Sequence, residues 1–258
     1  MVYDFIFVVL VYRNTKDLED FFKSLNTPNS KVVVVNSFYD DDSRAKFEAI
    51  ALANNADFLN VENKGYGYGN NRGCEYALNN YQFRYLIISN ADIEIIKLDV
   101  NQLSNNHITA PKIITLTGKN QNPFRPYYFP SVDWIQYFGY SHQLRLPVFC
   151  VIAVNKIARY FFTLFHSKGK IYSAHGAFII IPKSQLERVF PIFNEKMFLF
   201  AEEEHFAKVM KTNEIDIYYD SDISVKHKED GSTSGLDTFS LTCNSFEEYF
   251  KTWYKKQS

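Results

Sequence analysis

The sequence predicts an α/β fold with a mostly parallel central sheet flanked by helices. Three observations carry that expectation. Short apolar runs alternate with helical stretches through residues 1–95. The runs "DFIFVVLVY", "KVVVVN" and "RYLIIS" are almost continuously apolar, as strands covered on both faces are. Polar clusters follow these runs, at the edge where open α/β sheets bind ligands.

Taken in order, "DFIFVVLVY" reads as a buried strand and "TKDLEDFFKSL" as an amphipathic helix. "KVVVVN" is a second strand, "DSRAKFEAIALANN" a second helix and "DFLNV" a third strand. "ENKGYGYGNNRG" then places four glycines within Gly65–Gly73 and reads as a loop before the helix "CEYALNNY". Glycine lets a backbone come close to a ligand, and a loop entering a helix suits an anion; it also suits a plain tight connection. "RYLIIS" is the fourth strand. Asn14, Asn36, the glycine stretch and Asn90–Asp92 thus gather at one sheet edge.

Residues 114–170 break the alternation. "TLTGKNQNPFRPYYFP" carries three prolines and reads as loop. "VFCVIAVNKIARYFFTLF" (148–165) is apolar but interrupted by Asn155, Lys156 and Arg159, so it is not expected to span a bilayer. Two readings stand: a core helix, or a helix in the membrane interface. In the second, Phe161, Phe162 and Phe165 enter lipid while Lys156, Arg159, Lys168 and Lys170 meet anionic headgroups. "HGAFIII" is a strand, "KSQLERV" a short helix and "AEEEHFAKVMK" a longer one. "IDIYY" and "ISVKH" are two short strands, and "SFEEYFKTWYKK" a terminal amphipathic helix.

A chain of 258 residues with a net charge of −1 has room for a substantial core and no broad basic field, which argues against a nucleic-acid partner. Its 18 Tyr and 24 Phe suit core packing first, and sugar or lipid contact second. Cys74, Cys150 and Cys243 are scattered, as in a reduced cytosolic chain. The apolar start lacks a basic region and a cleavage site and contains Asp4, so it reads as a strand and not a signal peptide. No phosphate-loop signature, first-strand dinucleotide fingerprint or nucleophile elbow is present.

Three places can carry chemistry. Asp92, just past a strand, suits a divalent cation or a turn. Glu202, Glu203 and Glu204 follow the apolar "MFLF" and suit a helix start or a general base. His227 closes "ISVKH" and is a ligand or a structural histidine; Gly231, Ser232 and Thr233 after it offer contacts to phosphate.

In that order the parts resemble the family-2 glycosyltransferases, in particular the rhamnosyltransferase-like branch of bacterial surface-polysaccharide synthesis. The resemblance runs from Val8 to about Thr233. "VVLVYRN" is similar to the family's first strand and "VVVVNSFYDDDS" to its V-D-N-x-S-x-D-G-S. "ENKGYGYGNNRG" is similar to E-N-x-G-F-x-x-G-N-N-x-G, the most specific match, and "LIISNADIEI" to L-L-N-P-D-V. "HGAFIIIPKSQLERV" resembles S-G-A-x-x-x-x-R, "FNEKMFLFAEEEHFAKVMK" resembles F-D-E-x-F-F-L-Y-x-E-D-x-D, and "VKHKEDGST" the closing V-x-H-x-x-G-x-S.

The resemblance implies one GT-A domain over 1–258, with a nucleotide-sugar-binding half (1–95), an acceptor half (96–235) and a C-terminal helix (236–258). It implies inverting transfer from a UDP-, dTDP- or GDP-sugar to a hydroxyl of a glycan or lipid-linked glycan, in capsule or O-antigen synthesis. Mn2+ or Mg2+ would be held by Asp92 and His227. Glu203 would be the base, with Glu202 the alternative. Tyr12, Asn14, Asn36, Asp40, Asn63, Gly65, Gly69, Asn70 and Asn90 would face the donor, and Gly176 and Ala177 the acceptor. The expected setting is cytoplasmic, at the inner face of the plasma membrane if the interfacial reading holds. Four positions depart from the pattern: Val35 stands for an Asp, with Asp40 as substitute, Ala91 for a Pro, Glu203 for an Asp and His205 for a second Asp. The competing functions are a degenerate nucleotide-sugar-binding protein, a nucleotidyltransferase on the same half-fold, or a membrane-bound scaffold of polysaccharide assembly.

Overall fold

The computed structural model describes residues 1–229 and 237–254. Gly231, Ser232 and Thr233 lie outside them. Strands β1 (Val2–Val11), β2 (Ser30–Ser37), β3 (Asp57–Val61) and β4 (Gln82–Asn90) form a parallel array in the order β3-β2-β1-β4. Helices α1 (Thr15–Ser24), α2 (Asp41–Ala53) and α3 (Tyr66–Asn80) connect them. The sheet continues through β8 (Phe178–Pro182), β6 (Ile108–Thr115), β9 (Ile217–His227) and β5 (Ile93–Lys97), and β7 (Lys168–Ile171) pairs with β9. β1–β4, β6 and β9 run one way and β5, β7 and β8 the other, so the sheet is mostly parallel, as expected.

Alternation along β1 explains its unbroken apolar run. Ile6 and Val8 enter one core with Cys74 and Ala77 of α3, while Phe5, Phe7 and Val9 enter the other with Leu18 and Phe21 of α1 and Phe47 of α2. Both faces are dry, so neither tolerates a polar residue.

The glycine stretch is mostly helix, not loop: α3 begins at Tyr66. Its glycines serve close packing. A Cβ on Gly73 would come within 2.3 Å of Val8 Cγ1 and 2.8 Å of Val35 Cγ2, and one on Gly69 within 2.4 Å of a Leu10 methyl. Only Gly65, with φ of +108°, needs glycine's backbone freedom.

Residues 114–170 are also more ordered than their prolines suggest. They hold the end of β6, α4 (Pro130–Ser141), α5 (Arg145–Phe165) and β7. Pro130 sits at the start of α4, where its missing N–H costs nothing. "IDIYY" and "ISVKH" join into the single strand β9, with a register shift opposite Pro111–Lys112 absorbing the polar residues between them. Helices α6 (Lys183–Val189), α7 (Glu202–Thr212) and α8 (Thr238–Trp253) follow the predicted order.

The core reading of 148–165 fails. Of α5 only Val148, Val151 and Phe162 are buried. By length and composition alone α5 is long and apolar enough to cross a membrane, with mean hydropathy 1.6 over 18 residues. It lies along the molecule instead: Asn155 Nδ2 donates to Phe124 O (2.7 Å) and Arg159 Nη1 to Gln121 O (3.2 Å). Two details of the interfacial reading are also corrected. Phe162 is core, stacked on His166 and touching Tyr219. Arg159 turns inward, and Lys168 and Lys170 are engaged by Asp220, Asp222 and Asp216.

Candidate active site

The C-terminal ends of β1, β2, β3 and β4 place Tyr12, Asn36, Asn63 and Asn90 along one edge. Tyr12 meets Tyr39 edge-on, with the Arg13 guanidinium 4.9 Å from one ring and 4.3 Å from the other. Ser37 Oγ donates to Asn63 Oδ1 at 3.0 Å, tying β2 to the loop after β3. Asn36 is fully buried; its Nδ2 donates to Asn60 Oδ1 (2.7 Å), while its own Oδ1 has no partner. Asn70 is buried likewise, giving Nδ2 to Tyr66 O and leaving Oδ1 without a partner. Unpaired buried carbonyl oxygens are costly and mark places to look for a bound group.

Other expected donor contacts have local duties. Asn14 caps α1, accepting from Lys16 N (3.2 Å) and donating to Asp17 Oδ2 (2.7 Å). Asp40 caps α2 by accepting from Ser43 N (2.8 Å), and the Ser43 hydroxyl, followed by this N–H, lowers its pKa. Gly69 turns its open side to Leu10, and Gly65 admits the Phe198 carbonyl, which accepts from Tyr66 N at 2.9 Å. Val35 is buried in the core beside Gly73, so it has no route to a nucleobase.

The turn 175–177 joins the remaining candidates. Gly176 N donates to Glu203 Oε1 (3.3 Å), and Gly176 O accepts from Tyr66 Oη (2.7 Å). Ala177 O accepts from Asn90 N (2.9 Å), and Ala177 N donates to His175 Nδ1 (3.1 Å). The His175 ring stands 5.8 Å from that of His227, whose Nε2 lies 3.2 Å from Asp92 Oδ2. A side chain on Gly176 would press on both Glu203 and the Tyr66 hydroxyl, at 3.2 and 3.3 Å.

Orientation at His227 is set from behind. Gln121 Nε2 donates to Glu229 Oε1 (2.9 Å), which turns Gln121 Oε1 toward His227 Nδ1 at 2.7 Å. With Nδ1 donating, the Nε2 lone pair faces a carboxylate oxygen. Two electron-pair donors so placed call for a positive charge between them, either a proton or a metal ion. The pair fits a hard divalent cation that completes its shell with phosphate and water. Among the described residues no group of three or more His, Cys, Asp or Glu is arranged to hold a metal by protein ligands alone.

Burial shapes the acids. Glu202 is buried with Oε1 unpartnered, and desolvation together with the charge of Glu203 pushes its pKa up to about 8. Glu203 is also raised by desolvation, though Gly176 N–H pulls the other way, and it keeps partial exposure to solvent. Glu204 is a structural ion: Arg125 Nη1 binds it at 2.7 Å. His205 accepts from Trp253 Nε1 and is pushed down to about 4 by burial. His175 falls to about 3 through burial and the nearby His227. Phe200 and Ala201 precede these acids with φ of 72° and 68°, a pair of left-handed non-glycine residues. Such strain is costly and concentrates at functional sites.

The sequence reading missed Tyr66, His175 and Gln121. His175 and Tyr66 lie inside the motifs "HGAFIIIPKSQLERV" and "ENKGYGYGNNRG", whereas Gln121 lies in the proline-rich stretch and gave no signal.

No family model matches the chain. It is similar to the low-salt glycan biosynthesis hexosyltransferase Agl10 of Haloferax volcanii, with 23% identity over 228 residues, 84% of this chain and 64% of that protein. The chain thus spans under two thirds of the length of that curated relative. Among solved structures it is similar to GalNAc-T7 with UDP, GalNAc and Mn2+, at a TM-score of 0.59 and 11% identity over 88% of this chain and 44% of that one. It is similar to S. aureus TarS at a TM-score of 0.56 and 15% identity over 87% of this chain and 36% of that one. TarS 1-349 in complex with UDP gives 0.56 and 14%, over 87% and 60%. With four parallel strands leading into a mixed extension and these likenesses in architecture, the chain has the GT-A glycosyltransferase fold.

Proposed function

We propose that the chain is an inverting glycosyltransferase that moves a sugar from a nucleotide-diphosphate sugar to a hydroxyl of a glycan acceptor, lipid-linked, in the synthesis of a surface polysaccharide on the cytoplasmic side of the membrane. One observation carries the reading: a single turn, 175–177, is bonded through Gly176 N to the half-buried Glu203, while its His175 ring stands 5.8 Å from that of His227, which faces Asp92. A base on one side of this turn and a pair able to hold a cation for the diphosphate on the other suit an in-line displacement at an anomeric carbon. The likeness to a hexosyltransferase and to two structures holding UDP supports the same class.

In this reading Glu203 takes the acceptor proton as the new bond forms; desolvation raises its affinity for that proton. Gly176 leaves room beside it and holds Oε1 in place. Asp92 and His227 would hold Mn2+ or Mg2+, whose charge supplies stabilisation of the departing diphosphate. Tyr12, Asn36, Asn63 and Asn90 line the donor edge. Incubation with a panel of UDP-, dTDP- and GDP-sugars, with and without Mn2+, tests the proposal through nucleoside diphosphate release and transfer to glycan acceptors. Metal-stimulated release from at least one sugar nucleotide is expected. Formation of pyrophosphate from a nucleoside triphosphate and sugar phosphate, without any transfer, would point to a nucleotidyltransferase instead.

A further inference from the structure

Helix α5 exposes what a soluble core helix hides. Leu146, Phe149 and Phe165 are 74%, 66% and 73% exposed, and Ile157, Tyr160 and Leu164 are more than half exposed. Helix α4, which packs against α5, adds Trp134, Ile135 and Phe138. At about half of the 150–250 Å² that a large side chain presents, these nine expose on the order of 700–1,000 Å² of apolar surface. Monomeric soluble proteins rarely leave a contiguous patch of more than a few hundred Å² open to water.

Charge indicates what covers the patch. The chain has 29 acidic residues, yet from 134 to 186 there is none; of the cations in that stretch Arg159 turns inward and Lys168, Lys170 and Lys183 are paired with Asp220, Asp222, Asp216 and Glu187, which leaves Arg145 and Lys156. The one acid of the two helices, Asp133, is buried against Arg125. Arg145 and Lys156 stay exposed on α5. A second copy docked through the same helices would set these cations against their own kind, with no carboxylate from either helix to answer them. An anionic lipid surface meets both features, apolar side chains into the acyl boundary and cations at the phosphates. Trp134 and Tyr160 are the ring types that settle at headgroup depth. The ties from Asn155 and Arg159 to residues 121–124 hold α5 lengthwise on the molecule, so it presents its side and not its end.

We propose that α4 and α5 together form a docking face that lies flat on an anionic bilayer, with Phe149, Tyr160 and Phe165 in the acyl–headgroup boundary and Arg145 and Lys156 against lipid phosphates. This makes the membrane a binding partner in its own right, whatever the sugar transferred.

Flotation of the full chain with vesicles of phosphatidylcholine plus phosphatidylglycerol, and with phosphatidylcholine alone, tests it. The protein should float with the anionic vesicles, bind the neutral ones at least tenfold less, and lose binding as salt rises. The triple variant Leu146→Ser, Phe149→Ser, Phe165→Ser should lose at least tenfold in vesicle binding. Its melting temperature should stay within a few degrees of wild type, since all three side chains are exposed. A second variant, Arg145→Glu with Lys156→Glu, leaves the apolar face intact and should abolish the preference for anionic vesicles; it also serves if the triple variant does not fold. Wild type that stays at the bottom of the gradient overturns the proposal, as do variants that float like wild type. A wild-type dimer in sedimentation that the triple variant makes monomeric, without flotation of either, would assign the face to a second copy.

Discussion

At the scale of single residues, Glu202 and Glu203 are neighbours with different prospects. Both are pushed toward the neutral form by burial, but of the two only Glu203 keeps partial access to solvent, and Gly176 N–H donates to its carboxylate. Glu203→Gln is expected to lower turnover ~10²–10⁴-fold and leave donor affinity unchanged. Single-turnover rates and titration with the donor separate the two effects; a dead Glu202→Gln beside an active Glu203→Gln would exchange the roles. Glu202 has its own signature in stability. Its folded pKa of about 8 lies above the ordinary 4.5, so between those values the folded state holds the extra proton. Stability is therefore greatest below pH 4.5 with respect to this group, and is lost as pH rises through about 8. Glu202→Gln should flatten the fall in melting temperature between pH 5 and pH 9 and be more stable than wild type at the upper end. Asp92→Ala, which removes one side of the pair with His227, should abolish metal-stimulated transfer while circular dichroism stays unchanged. Full activity of that variant in metal-free buffer would remove Asp92 from the site.

At the scale of elements, the entry to α3 depends on Gly65. Its φ of +108° and the Phe198 carbonyl, 2.2 Å from where a Cβ would stand, leave no room for alanine. Gly65→Ala should cost roughly 2–4 kcal/mol, overpacking and backbone strain together, in a urea unfolding series. Gly73→Ala, set between Val8 and Val35, should cost about 1–3 kcal/mol by overpacking alone. These glycines also show where sequence reasoning works and where it stops. Strands β1, β2 and β4 are legible because both their faces are dry, so apolar runs mark them directly. Glycine signals closeness, and the same letter serves a turn at Gly65 and a helix pressed on a sheet at Gly73; only the partner's position tells them apart. Strand β7 has four residues, three of them Lys or Gly, and owes its existence to β9. The Asp92–His227 pair was recoverable through motif order. Gln121, which orients it, was not, because its importance arises from a contact 106 residues away.

On the scale of the whole molecule, a buried ion network ties the helices to one another and to the loop after β6. Arg125 is held by Glu204 of α7 at 2.7 Å and Asp133 of α4 at 3.2 Å, with its guanidinium 4.9 Å from the Tyr172 ring. Asp133 also takes the Tyr254 hydroxyl just past α8 and Lys208 of α7. Two helices and one loop thus share one set of charges, with the Tyr254 hydroxyl bonded to it. Arg125→Ala would leave two buried carboxylates without their main counter-ion and should cost about 3–5 kcal/mol. Equilibrium denaturation measures that cost, and a change below 1 kcal/mol would mean that water reaches the acids.

Strand β9 carries a consequence in time. β5, β6 and β7 all lean on it. β5 emerges at residues 93–97, but its partner is not translated until 217–227. A growing chain can close β1–β4 and their helices as a unit while β5 waits, its edge open, for a partner more than a hundred codons downstream. Asp92 precedes β5 and His227 ends β9. Asp92 and His227 therefore meet only when the sheet is zipped from its far side, and a ribosome-bound chain that already holds its first four strands is still without that pair.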